Sequence, residues 1–121
     1  MKLLTRKAVN FMLEKMNNED GFSINEDLEE PESGYMVSLP GDEWVKSSVT
    51  KNVLKAFLTA KKAKLKLDSI YAGCWVDQQS KRTFLDLSIN VRSLAKAKKL
   101  AKKYDQLAIW DVENFEEIRI K

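Results

Sequence analysis

Two apolar-rich runs, Ile70 to Asp77 and Thr83 to Val91, stand on either side of the polar segment Gln78-Gln79-Ser80-Lys81-Arg82. Side chains alternate between the two faces of an extended chain, so each run sorts into two rows. Ile70, Ala72, Cys74 and Val76 form one row, and Leu85, Leu87, Ile89 and Val91 form its counterpart. A β-hairpin is the simplest arrangement, with both apolar rows on a face that needs helices packed over it.

The flanking sequence supplies those helices. Ser47 or Ser48 is placed to cap a helix reaching about Ala63, with Val49, Val53, Leu54, Phe57, Leu58 and Ala60 at helical spacing. Ser93 caps another, in which Leu94, Ala97, Leu100, Ala101 and Tyr104 face inward while Lys96, Lys99, Lys102 and Lys103 face water. Gly34 to Leu39 reads as a strand closed by the turn signal Pro40-Gly41, and Leu107 to Val112 as another. The order from Gly34 onward is therefore β-α-β-β-α-β, an α+β fold of ferredoxin-like arrangement. A short alternating strand, Glu117 to Lys121, follows the turn at Glu113-Asn114.

Ahead of this core, Thr5 opens a helix running to about Asn17, with Val9, Met12, Leu13 and Met16 along one side and Gly21 ending it. Phe22 to Ser33 is acidic, contains Pro31 and has no period, so it reads as a mobile loop with a short extended piece at Phe22-Ser23-Ile24. At 121 residues the chain fits one domain: helix 1–17, acidic loop 18–33 and α+β core 34–121.

Composition narrows the chemistry. There is no histidine and only one cysteine, Cys74. Imidazole and thiolate zinc sites are thereby excluded, together with catalysis by Ser-His or Cys-His pairs. Cys74 cannot form an internal disulfide, and its place in an apolar row marks it as a small core residue. No apolar run resembles a secretion signal or a membrane span, so the expected location is the cytoplasm, with no membrane partner. The adjacent carboxylates Asp42-Glu43 and Glu116-Glu117 have no partner at metal spacing, and no glycine loop would cradle a phosphate. No cofactor and no catalytic residue is expected.

Charge is sorted along the chain. Residues 18–43 hold nine acidic side chains, Glu26, Asp27, Glu29, Glu30 and Glu32 among them, and no Lys or Arg. Residues 46–103 hold fifteen Lys or Arg against Asp68, Asp77 and Asp86. One reading is that Lys61, Lys62, Lys64, Lys96, Lys99, Lys102 and Lys103 grip nucleic acid or an acidic protein, while the acidic loop imitates phosphates in a basic groove. The other is that the lysines merely solvate helices and the acidic loop neutralises them within the molecule.

The second face of the hairpin carries Tyr71, Trp75, Phe84 and Asp86, and Trp110 joins them if Ile109 points to the core. The first helix, with Phe11, Met12 and Met16, is expected to lie across these aromatics as core. Left open, they would serve as anchors for a protein partner. Base stacking fits less well, because the strand Lys81 to Leu87 has none of the glycines of RNA-binding strands and Asp86 would repel phosphate.

The blocks Gly34-Tyr35-Met36-Val37-Ser38-Leu39-Pro40-Gly41, Ile70-Tyr71-Ala72-Gly73-Cys74-Trp75-Val76-Asp77, Leu85-Asp86-Leu87-Ser88 and Gln106-Leu107-Ala108-Ile109-Trp110-Asp111 resemble those of small phage- and prophage-borne proteins of unassigned function. That resemblance implies a non-enzymatic accessory protein that binds a host protein or nucleoprotein complex in a bacterial cell, such as an anti-CRISPR or anti-restriction inhibitor. It assigns no role to any single residue. Binding through Glu26, Asp27, Glu29, Glu30, Glu32, Tyr71, Trp75 and Phe84 is the expectation, and nucleic-acid binding through the lysine faces is the alternative.

Overall fold

A computed structural model describes residues 1–121. After a 3-10 turn at Lys2–Leu4, the Thr5 hydroxyl accepts from Ala8 N–H at 3.3 Å and opens α1, Arg6–Glu19. The helix is stopped by Asp20 in the left-handed conformation, one residue earlier than the expected Gly21. Gly21 is needed for a different reason: a Cβ there would overlap the Cys74 carbonyl oxygen, because the chain enters β1, Gly21–Ile24, directly against the hairpin. The short extended piece of the sequence reading is thus an ordered strand, and the segment around it belongs to the sheet's edge.

β2, Tyr35–Ser38, and β3, Trp44–Lys46, are two parts of one line of chain interrupted at Pro40-Gly41. Gly41 sits at φ +79, a conformation few residues other than glycine adopt readily. α2, Lys51–Ala60, is capped by Thr50, whose hydroxyl accepts from Val53 N–H at 3.3 Å, so the cap is Thr50 and neither Ser47 nor Ser48. The helix pauses at Lys61, resumes as α3, Lys62–Leu65, and so ends as two pieces where one was expected. The hairpin is as the alternation predicts: β4, Ile70–Val76, pairs antiparallel with β5, Thr83–Val91, from Ile70↔Ile89 to Val76↔Thr83. Its loop is held by Asp77, which accepts from Ser80 Oγ at 2.7 Å and Gln79 N–H at 3.2 Å. Ser93 caps α4, Leu94–Lys103, by accepting from Lys96 N–H. β6, Ala108–Asp111, and β7, Glu116–Arg119, close the chain as a second hairpin.

The seven strands form one antiparallel sheet in the order β1-β4-β5-β2-β6-β7, with β3 alongside the first part of β5. That is more strands than the sequence pattern suggested. β5 accommodates both halves of the interrupted strand, pairing with β3 through Thr83 to Leu85 and with β2 through Ser88 to Val91.

All four helices cover one side of this sheet. Seventeen buried residues, including Met12, Phe22, Leu54, Phe57, Cys74 and Leu87, form the larger core beneath α1, α2 and α3. Val37, Ala97, Ala101 and Ile109 form a smaller one beneath α4, where alanines let the helix approach closely. Trp44 belongs to the larger core, its ring edge-on to Phe57 with centroids 5.2 Å apart.

Here the structure corrects one expectation. α1 does not lie across the aromatic face of the hairpin; Met12 and Met16 pack with Phe22, Ile24 and Cys74 on the opposite side, and Phe11 is exposed. The reason is β1. By widening the sheet beyond β4 it adds Phe22 and Ile24 to the apolar face, and α1 covers that extension.

Candidate functional site

With the helices on one side, the other side of the sheet is left open, and it carries the expected aromatics. Trp75 and Phe84 are cross-strand partners whose rings stack at 4.5 Å and 8°. Such a pair contributes about 0.5–1.5 kcal/mol beyond its buried area, yet Trp75 is still 50% exposed. Val45 of β3 lies opposite Phe84 and extends the apolar patch. Tyr71 is half-buried further along β4, opposite Ser88. Trp110, 42% exposed, stands on the same face opposite Met36, as expected from Ile109 pointing to the core. Val45 was not foreseen in this patch, because a three-residue strand after Pro40-Gly41 is too short to establish an alternation.

Between the aromatics lies one acid. Asp86 accepts a hydrogen bond from Ser38 Oγ at 3.0 Å across the β2–β5 seam. Burial pushes its carboxyl above the usual carboxylate range; the bond from Ser38 opposes that shift and the nearby Glu43 charge adds to it. The face is therefore aromatic at its rim and mildly acidic within, with no lysine among the residues that form it.

The acidic loop sits at the far end of the sheet. It leaves β1 after Ile24, opposite Ala72, and reaches β2 where Ser33 O accepts from Asn90 Nδ2 at 2.8 Å. Trp75 and Phe84 lie at the other end, beside the 77–82 loop. The structure thus divides the expected partner-binding set into two places. The loop is also held from within: Asn25 Oδ1 accepts from the N–H groups of Asp27 and Glu29. Glu26 accepts from Lys2 N–H at 3.1 Å, Asp27 pairs with Lys2 at 3.4 Å, Glu30 with Lys15 at 3.2 Å, and Glu29 accepts from Asn25 Nδ2. Only Glu32 of the five carboxylates has no such contact, so much of this charge is spent on neighbours inside the chain.

The lysines are likewise divided. Lys61 and Lys64 converge on Asp42, at 3.0 and 2.8 Å, in the corner between β2 and β3. Asp42 is only 3% exposed. Burial works against its charge, but the bonds from Lys64 and Lys61 outweigh it and hold the carboxyl below its ordinary range. This triad ties the interrupted strand to the α2–α3 junction. Lys62 is exposed beside it, whereas Lys96, Lys99, Lys102 and Lys103 are exposed on α4 over the smaller core, and no carboxylate pairs with them. Among the helices, α1 bears three basic residues, α2 and α3 two each and α4 five, against Glu14 and Glu19 as the helical acids. Charge segregation along the sequence thus becomes segregation between layers, a basic helical side and a sheet side without lysine, on which Arg119 of β7 is paired with Glu117.

Cys74 is buried in the larger core, and its thiol is pushed up to about 12 by burial first and by the Asp86 charge second. It stays protonated and shielded. No three or more Cys, Asp or Glu side chains come together as a metal-holding group. A shallow recess of about 310 Å³ at the end of α1 has Asp20 as its one carboxylate, already accepting from Gln78 at 2.8 Å. No helix is long and apolar enough to cross a membrane.

No protein-family model matches the chain, and comparison with curated proteins and with solved structures finds no match.

Proposed function

We propose that this chain is a non-catalytic binding protein that holds and inhibits or modulates a host protein through the open face of its sheet. The observation that carries the reading is the Trp75–Phe84 stack, half in solvent on a face that no helix covers. Exposed Trp and Tyr side chains are the usual anchors of protein interfaces, since they bury large area with few rotatable bonds. Val45, Tyr71 and Trp110 continue that surface, and Asp86 with Ser38 adds a polar contact at its middle.

The resemblance of the strand blocks to small phage- and prophage-borne proteins supports a mobile-element setting in a bacterial cytoplasm, with a CRISPR or restriction nuclease as the kind of host protein inhibited. The test is phage plating on cells carrying such a nuclease. Expression of the chain is expected to restore plating, and Trp75→Ala with Phe84→Ala is expected to remove the effect while the protein remains folded. Unchanged plating across a panel of CRISPR and restriction strains would contradict the inhibitory role.

A second reading has its own support. Lys96, Lys99, Lys102 and Lys103 are exposed and without carboxylate partners, so α4 has positive charge free to meet nucleic-acid phosphates. Counterion release predicts that such binding weakens steeply between about 50 and 200 mM salt. Absence of any DNA or RNA mobility shift at the lower salt would dispose of it.

The core itself we read as ferredoxin-like. What supports this is the succession β2, α2, β4, β5, α4, β6 with those strands side by side as β4-β5-β2-β6, to which β1, β3 and β7 are additions.

A further inference from the structure

β7 ends the strand order, so one of its edges faces no strand. Which backbone groups that edge offers follows from its pairing with β6. Ile120 N–H donates to Leu107 O at 2.8 Å. Hydrogen-bonded and non-bonded positions alternate in an antiparallel pair. With Ile109 opposite Ile118 and Asp111 opposite Glu116, the backbone of Glu116, Ile118 and Ile120 turns toward β6. The N–H and C=O groups of Glu117 and Arg119 therefore point outward, available to another strand. The same hairpin also concentrates exposed apolar side chains: Leu107 is 58% exposed, Trp110 lies opposite Glu117, and Phe115 is 78% exposed in the connecting turn.

We infer that β7 is the seam of a symmetric homodimer, in which it pairs antiparallel with β7 of a second copy and Ile118 meets Ile118 at the two-fold axis. The charge pattern selects this register. Outward-pointing backbone groups must face outward-pointing groups. Centred on Ile118, the pairing sets Glu117 opposite Arg119 of the second copy, and Arg119 opposite its Glu117. Four backbone hydrogen bonds and two opposite-charge pairs result. Centred on Glu117 it opposes two carboxylates, and centred on Arg119 two guanidinium groups; like charges directly opposite destabilise a ladder. The same side chains, 3.3 Å apart within one strand, are already an ion pair and can exchange to the facing copy without moving far. Isologous contact of this kind closes after two copies, so the edge is sealed and no fibre grows from it. The inference does not rest on the host-binding reading, since the pairing is made by the backbone at the sheet's edge, although Trp110 borders both surfaces.

The test is sedimentation velocity of the purified full chain over a range of concentrations. A species of twice 13.9 kDa is expected for the wild type. Arg119→Glu alone, which opposes carboxylates, should give the monomer, as should Glu117→Arg alone. Glu117→Arg with Arg119→Glu restores both opposite pairs and should restore the dimer. Far-UV circular dichroism checks each fold, and amide exchange of the wild type gives a reading free of mutation: the Glu117 and Arg119 N–H groups are protected in the dimer. A wild type that stays monomeric, a single reversal that leaves the dimer intact, a folded double variant that stays monomeric, or unprotected Glu117 and Arg119 amides would each overturn the inference.

Discussion

Asp86 lays its carboxylate over the bare backbone of Gly73, its cross-strand partner, in the space that a Cβ would occupy. Ser38 approaches from the other neighbouring strand and donates to the same carboxylate. A glycine in the middle of a long strand is thus explained by the acid beside it. Gly73→Ala forces Asp86 aside, and overpacking of this kind costs about 1–3 kcal/mol. Urea unfolding should register that loss, and Asp86→Ala in the same chain should recover much of it. Additive effects of the two changes would contradict the steric coupling.

The raised titration of Asp86 has a definite sign. A carboxyl whose folded pKa lies above its unfolded value favours the fold most when protonated, so its ionisation weakens the fold as pH rises through that window. Asp86→Asn is therefore expected to be more stable than wild type at neutral pH, with the advantage shrinking as the pH falls through the folded pKa. Parallel stability curves from pH 7 to pH 4 would contradict it.

Asp42 runs the other way. Its folded pKa is depressed by Lys64 and Lys61, which together outweigh the burial, so its contribution is present above the unfolded carboxylate pKa and lost as pH falls through the folded one. Hydrogen bonds to charged groups contribute about 1.5–3 kcal/mol, and Asp42→Asn should remove roughly that much at pH 7. Below the depressed pKa the two proteins should converge. Thermal unfolding followed from pH 7 downward into acid measures both: a gap at pH 7 that narrows as the pH falls is expected, and a gap that does not narrow would contradict the ion pairing.

The two aromatic clusters should separate cleanly on truncation. Phe57 is buried beneath Trp44, and Phe→Ala in a core costs about 3–5 kcal/mol. Trp75→Ala removes a half-exposed ring, so it should cost less than Phe57→Ala: about 0.5–1.5 kcal/mol for the ring pair together with the transfer contribution of only the buried half of the ring. A Trp75→Ala cost equal to that of Phe57→Ala would mean that the sheet face is covered.

Cys74 supplies a probe of opening. Its thiol, pushed up to about 12 and buried, is expected to react with a disulfide reagent at pH 8 only as fast as the protein unfolds. Labelling much faster than unfolding would contradict the packing of β4 against α1.

Much of the architecture was legible because it rests on local signals. The alternation of Ile70 to Val76 and Thr83 to Val91 dictated the hairpin and its two faces, and Ser93 marked the start of α4. What escaped has long-range causes. Phe22 and Ile24 are too few to declare a strand until Cys74 and Ala72 stand opposite them, and with β1 unrecognised the destination of α1 was misplaced. Trp44 to Lys46 follows a break at Gly41, and only pairing with Thr83 to Leu85 makes it a strand. Of the site, Tyr71, Trp75, Phe84 and Trp110 were visible from parity alone. The internal commitments of Glu26, Asp27, Glu30, Lys61 and Lys64 were not, since their partners lie far off in sequence.

Affinity capture from bacterial lysate, run side by side with three forms of the chain, addresses the binding face most directly. The wild type and a variant with Lys96, Lys99, Lys102 and Lys103 changed to Gln should retain the same protein, and Trp75→Ala with Phe84→Ala should lose it. Retention by the aromatic variant and loss by the lysine variant would contradict the account and move the binding surface to α4.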